Sequence, residues 1–416
     1  MKTFRFAFSI LLLASITLNL TACAPTVQAA DLMSGISGQS VQGKNADARF
    51  IGNTADFSLA LFKKTINEEK NSLISPLSVL LALAMTANGA DKQTLSEMEA
   101  VLGGDIDLEE LNHYLYSYVR NLPNEKKSRL TVANSIWFRE DENRLTVEKE
   151  FLQKNANYYD AAAYKSPFDN QTLKDINNWV KKNTDGMIDK ILDQIEDDTV
   201  MYLINAVAFV AEWETVYNKA NIIEGFFTAI GGSEQRAEFM HSEENIYLDD
   251  GRATGFIKPY AGNKYSFVAL LPNEDIAIGD YIDMLSGEGF LQTINGAVNT
   301  TVSAALPKFS YDYKIQMNAS LKAMGMPQAF SPLQADFSKL GKSSRGNIFI
   351  GEVLHKTFIQ VDELGTRAGA VTKVEMKDEA YIETKVVVLN RPFVYAIIDN
   401  ASKLPVFIGT VMEIAD

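Results

Sequence analysis

The stretch that constrains this chain most is residues 363–391, ELGTRAGAVTKVEMKDEAYIETKVVVLNR. From Thr366 the even positions are Thr366, Ala368, Ala370, Thr372, Val374 and Met376, and the odd ones are Arg367, Gly369, Val371, Lys373, Glu375 and Lys377. Small or apolar groups alternate with mostly polar ones, the period of two that marks a strand half buried in a sheet. Yet Gly365, Ala368, Gly369 and Ala370 are poor strand formers, and Asp378 and Glu379 interrupt the pattern before a second run at residues 384–389. A segment that can be a strand but is weakly held as one predicts mobility.

With 416 residues and 46% hydrophobic content the chain can bury a large core, and its length allows one large domain or two or three smaller ones. The formal net charge of -14, with no basic run, argues against nucleic acid or an anionic membrane surface as electrostatic partners. Lys2 and Arg5 precede an apolar run over residues 6–20, followed by Leu20-Thr21-Ala22-Cys23. A charged start, a short apolar core and a small-residue cleavage site mark an export signal, too short for a comfortable membrane span. Cys23 is the one cysteine, and its setting resembles the lipobox of bacterial lipoproteins. That resemblance implies a signal peptide over residues 1–22, cleavage before Cys23 and lipidation of its sulfur; a plain secretory signal with a chance cysteine is the alternative. The expected location is an anchor in the outer membrane, on its periplasmic or cell-surface side, or the extracellular space. No disulfide can form within a chain with one cysteine, so stability rests on packing.

Residues 24–48 are rich in Gly, Ser, Ala and Gln with few large apolar groups, which reads as a flexible tether. No comparable break follows Phe50. The expected organisation is therefore signal 1–22, lipid-anchored tether 23–49 and one domain 50–416. Residues 53–66 carry apolar groups at helical spacing, and Ser75-Pro76 opens a second helix whose residues 77–87 are almost continuously apolar, so that helix should be buried. Residues 130–138, 201–210 and 265–271 read as buried strands, and 173–192 as helix, loop, helix around Asp185-Gly186. Further strands are expected at 302–309, 348–361 and 393–398. The class is mixed α and β with several sheets.

Several of these segments resemble the serpins, the serine protease inhibitor family. NSLISPLSVLLALAMTANGADKQTLSEM (71–98) is followed in order by LTVANSIWF (130–138), INNWVKKNTDGMIDKIL (176–192) and YLINAVAFVAEW (202–213). LPKF (306–309), GMPQAFSPLQADFS (325–338), HKTFIQVDELGT (355–366) and NRPFVYAI (390–397) complete the series. The resemblance implies an α+β serpin fold: a single large domain with several mostly antiparallel or mixed sheets, about eight or nine helices, and a mobile reactive loop. It also implies a mechanism, in which the loop is bait for a protease and, once cleaved while acyl-linked to the enzyme, inserts into the main sheet as a new strand; serpin loop insertion is an established example of strand addition. The partner would be a serine-type endopeptidase, with cysteine-type enzymes left open, held in a covalent acyl-enzyme complex by a monomeric inhibitor. Eleven residues, 366–376, would span roughly 36 Å as a strand.

The resemblance assigns roles residue by residue. Glu363, Gly365, Thr366, Arg367, Ala368, Gly369, Ala370, Val371 and Thr372 match the hinge, whose small inward side chains let it slip between neighbours; Arg367 stands where the family usually has Glu, and the alternation points it outward. Family counting from Glu363 puts the scissile bond at Glu379-Ala380, with Lys377-Asp378 second. Ser75, Ser78, Asn205 and His355 match the polar cluster beneath the opening of the sheet, where His355 is structural rather than catalytic or metal-binding. Trp213, Lys308 and Glu363 match the entrance of the opening, and Trp213 needs a partner for its indole N-H. The VAE of residues 210–212 departs from a common Lys-Gly pair. No nucleophile elbow, zinc motif, phosphate-binding loop or dinucleotide fingerprint occurs, so neither enzymatic activity nor a metal or cofactor is expected. The alternative function is a non-inhibitory serpin that binds other proteins or acts as a chaperone.

Overall fold

The computed structural model describes residues 27–140, 145–196, 199–344, 346–366 and 384–414. Its α-helices are α1 (Ala48–Thr65), α2 (Pro76–Ala87), α3 (Lys92–Leu102), α4 (Leu108–Asn121), α5 (Lys149–Tyr159), α6 (Asn170–Asn183), α7 (Ile278–Met284), α8 (Gly287–Asn295) and α9 (Asn318–Met324). The strands of the first half are β1 (Ala30–Asp31), β2 (Ser72–Ile74), β3 (Ser128–Arg139), β4 (Leu145–Val147), β5 (Ala162–Ser166) and β6 (Met201–Glu212). Next come β7 (Ile222–Thr228), β8 (Glu234–Asp249), β9 (Ala253–Pro259), β10 (Tyr265–Pro272), β11 (Val298–Pro307) and β12 (Phe309–Gln316). The chain closes with β13 (Gly341–Ser343), β14 (Glu352–Val361), β15 (Gly365–Thr366), β16 (Lys385–Val388), β17 (Phe393–Asp399) and β18 (Pro405–Val411).

The main sheet has the order β1-β5-β3-β6-β15-β14-β12. A second sheet runs β16-β11-β8-β9-β10-β17-β18-β2, with β7 alongside β8, and β4 pairs with β13. Every residue of α2 is buried, as its unbroken apolar run requires; Pro76 at its start has no N-H to leave unsatisfied. The helix packs behind β6 and β3 and so forms the floor of the main sheet.

On the opposite face α6 and the segment after it cover the same strands. Ile176, Trp179, Val180, Ile188, Ile191 and Leu192 pack on Tyr202, Ile204 and Ala206 of β6 and Leu354 of β14. The second helix expected before residue 192 does not form. Asp185 and Gly186 take positive φ (50° and 76°) and end the helical path. The Asn177 side chain then holds the following segment, donating to Leu192 O (2.9 Å) and accepting from Ile191 N (2.8 Å) and Leu192 N (3.0 Å).

The expected flexible tether is also corrected. From Val27 onward it is docked on the domain: Ala30 and Asp31 pair with Lys165 and Tyr164 of β5, and the buried Asp175 carboxylate accepts from Gln28 N (2.9 Å) and Ala29 N (2.8 Å). Leu32, Met33 and Ile36 pack against the core, and Asp47 caps α1 through Phe50 N (3.0 Å). A polar, aperiodic stretch escaped the sequence reading because it is held largely through its backbone, by pairing with β5 and by the Asp175 carboxylate, and its few core-packed apolar side chains follow no helix or strand period. Cys23 and the signal segment lie outside the described residues.

Candidate functional site

The site is the seam of the main sheet between β6 and β14. Low in the sheet these strands pair directly and in parallel, from Glu352 opposite Tyr202 to Lys356 opposite Ala206. Higher up they part, and β15 occupies the mouth of the gap. Its Gly365 lies opposite Glu212 and its Thr366 opposite Ala211, antiparallel to β6, while Thr366 also pairs with Val361 of β14. Gly365 allows this approach because a Cβ there would stand 2.1 Å from Ala211 O, and its φ of 154° disfavours any other residue. The small Ala211 and outward Glu212 of the VAE departure fit this arrangement: Ala211 is fully buried beside Gly365, and Glu212 pairs with Lys127 (2.7 Å).

Thr366 points inward, as its even position predicts; it is 2% exposed and its hydroxyl bonds the Tyr260 hydroxyl at 2.6 Å. Glu363 meets Lys308 at 2.8 Å, and Lys308 also meets Glu238 at 3.1 Å. The Lys308 ammonium holds the Glu363 carboxyl below its ordinary range. Lys308 falls in the break between β11 and β12, where one continuous strand was expected, and this puts its side chain at the junction of the two sheets. Trp213 finds the partner its indole needs: Nε1 donates to Asp362 O (2.8 Å), and its backbone N donates to Leu364 O (2.9 Å). Tyr217 N adds a bond to Glu363 O (3.0 Å), and Trp213 stacks on Tyr260 at 4.6 Å. Tyr260 and Tyr217 were missed from sequence, since nothing local marks a tyrosine as the neighbour of a residue more than a hundred positions away.

The polar cluster sits where the seam is still closed. His355 of β14 and Asn205 of β6 are ladder partners, and His355 Nδ1 meets Asn205 Oδ1 at 2.7 Å. Ser75 N donates to His355 Nε2 (3.1 Å), so Nε2 is the acceptor and the proton sits on Nδ1, which donates to Asn205. The Asn205 amide nitrogen then donates to Ser78 O (2.7 Å) and towards Ser78 Oγ and Asn134 Oδ1. The sequence reading named all of these but Asn134. Burial lowers the His355 pKa to about 3. The folded state therefore binds fewer protons than the unfolded chain between the ordinary histidine value of about 6.5 and about 3, and stability present at neutral pH is lost as pH falls through that window. We expect the denaturation free energy to fall by about 1.4 kcal/mol per pH unit from this group below pH ~6. His355→Gln, which cannot titrate, should show a flatter decline between pH ~6 and ~4.5, where most carboxylates are still ionised; parallel declines in thermal scans would refute the assignment.

Arg367, Ala368, Gly369, Ala370, Val371, Thr372, Lys377, Asp378, Glu379 and Ala380 lie outside the described residues, so the hinge beyond Thr366 and both scissile-bond choices do too.

A large mixed sheet whose two central strands are parted at one end by Gly365 and Thr366 defines the fold class. The family model for serpin (serine protease inhibitor) matches residues 52–414, and the chain belongs to the serpin family. It is 30% identical to intracellular coagulation inhibitor 2 of Tachypleus tridentatus over 368 residues, 86% of this chain and 89% of that one. Among solved structures it is similar to the thermophilic serpin tengpin in its native state, at 58% identity over 93% of this chain and 100% of the other, with a TM-score of 0.90. Against tengpin in the latent state the identity is 58% over 90% and 100% of the two chains, and the TM-score is 0.81. Serpins are generally protease inhibitors rather than enzymes.

Proposed function

We propose that this serpin is a suicide-substrate inhibitor of serine-type endopeptidases that traps the acyl-enzyme by inserting its cleaved loop into the main sheet. The observation that carries this reading is the half-open seam with Gly365 and Thr366 already seated in its mouth. Continuing their antiparallel register along β6 puts Arg367 opposite Val210 and Met376 opposite Met201, the first residue of that strand. In that register the ten residues after Thr366 would fill the length of β6, and the small side chains at 368, 370 and 372 would share the inward face of Thr366. The protease serine would attack the carbonyl of residue 379, forming an ester there as the amine of Ala380 takes a proton and leaves.

Insertion must separate His355 from Asn205 and the parallel pairs around them, so their hydrogen bond closes the seam until a strand competes for it. Replacing five pairings by ladders on both edges of a ten-residue strand gains on the order of 10 kcal/mol at about 1 kcal/mol net per bond. That matches the whole stability of a typical domain, so the uncleaved form is kinetically held.

The test is a panel of trypsin-, chymotrypsin-, elastase- and glutamate-specific proteases. At least one should give an SDS-stable complex, with the new amino terminus at Ala380 or, second, at Asp378. Clean cleavage by every enzyme would favour the non-inhibitory alternative. We also propose a lipid anchor at Cys23; the wild-type chain should fractionate with membranes and Cys23→Ala should not.

A further inference from the structure

Behind the entrance of the seam lies an ion pair whose place in the fold calls for a reason. Glu244 of β8 and Lys258 of β9 meet at 2.7 Å with side chains only 7% and 3% exposed, and Ser242 Oγ donates to the same carboxylate oxygen at 2.6 Å. A buried ion pair adds little net stability, because desolvation offsets attraction and apolar residues of similar size usually serve as well or better. What an ammonium does and a methyl group cannot do is attract aromatic faces. Lys258 Nζ stands 4.3 Å from the centroid of the Tyr217 ring and 5.5 Å from that of Trp213.

Those two residues supply the three hydrogen bonds that hold the carbonyls of Asp362, Glu363 and Leu364, immediately before the hinge. Trp213 in turn stacks on Tyr260, whose hydroxyl holds Thr366. Each link is a direct contact. The cation fixes two rings; the Trp213 indole holds Asp362 directly and Thr366 through Tyr260, while the backbone amides of Trp213 and Tyr217, which the placement of those rings positions, hold Leu364 and Glu363.

We propose that the Glu244–Lys258 pair is a positioning device for the hinge, holding Tyr217 and Trp213 so that residues 362–366 stay seated at the mouth of the seam, and that it sets how readily the hinge is released. The placement of the hinge stands on the contacts above, whereas the consequence for inhibition rests on the proposed function.

The test uses the full chain carrying Glu244→Leu and Lys258→Met together. Lys258→Met alone would leave an unpaired carboxylate in the core and risks unfolding. In the double variant the amides of Trp213 and Tyr217 should exchange with deuterium roughly tenfold faster than in the wild type, while exchange in β9 and β10 and the denaturation temperature hold steady or improve. Lys258→Arg, which keeps the cation, should keep the slow exchange. Unchanged exchange at Trp213 and Tyr217 would overturn the proposal, and so would faster exchange spread across β9 and β10 with a lower denaturation temperature, since that is a general loss of structure. In parallel, the moles of inhibitor consumed per mole of protease trapped should change in the double variant. If the wild type traps no protease, the inhibitory reading fails while the exchange data still decide this one.

Discussion

Thr366→Arg is expected to convert the chain from a trap into a substrate. The threonine is enclosed between Ala211 and Val361, with its hydroxyl on Tyr260. An arginine facing inward would bury an unpaired guanidinium at a cost of several kcal/mol, so the first residues of the strand leave the mouth of the sheet. Cleavage by the protease is unaffected, but insertion slows, and deacylation wins. Each 1.4 kcal/mol added to the insertion barrier shifts that competition tenfold, so the inhibitor consumed per protease trapped should rise by about a hundredfold. Thr366→Val keeps the size and the facing and gives up only a hydroxyl bond worth about 1 kcal/mol, so its effect should stay within about fivefold. Complex formation by Thr366→Arg as efficient as by the wild type would show that the seated threonine is not on the path of insertion.

Cleaving the loop of the isolated protein should raise its denaturation temperature sharply. The ladder estimate of about 10 kcal/mol, at roughly 1–2 °C per kcal/mol for a domain of this size, corresponds to a rise of about 10–20 °C. Calorimetry before and after limited proteolysis within residues 377–381 measures it directly. A cleaved form that melts with the intact one would mean that the seam stays closed and that no strand has been added.

How much of this was legible in the sequence follows from where the information sits. The buried strands at residues 130–138, 201–210 and 265–271 are long apolar runs with β-branched and aromatic content, and the structure places β3, β6 and β10 over them within two residues at either end. Ser75-Pro76 announced α2 because both the proline and the apolar run act locally. The alternation after Gly365 correctly assigned Thr366 to the inward face. What stayed hidden was made by long-range contact. Tyr260 against Thr366, Tyr217 against Glu363 and Lys258 beneath the rings are meetings between distant segments, and no periodicity encodes them. The docking of residues 27–47 was hidden for another reason. Its acceptors, Asp175 among them, look like ordinary surface groups until a second segment lies over them.

The length of β6 has a mechanical consequence. Because that strand begins at Met201, the proposed register runs out at Met376, and only three further residues lead to an ester at Glu379. Fully extended they span about 10 Å, far less than the width of a protease. In the proposed mechanism the strand would act as a ruler and the remainder as a short leash. An enzyme attached at Glu379 would then arrive at the far end of the sheet with almost no slack, and the pull of the inserted strand would fall on its active site. Moving the ester to Lys377 would shorten the leash to a single residue, while inserting flexible residues after Met376 would let the enzyme stand clear and finish its turnover.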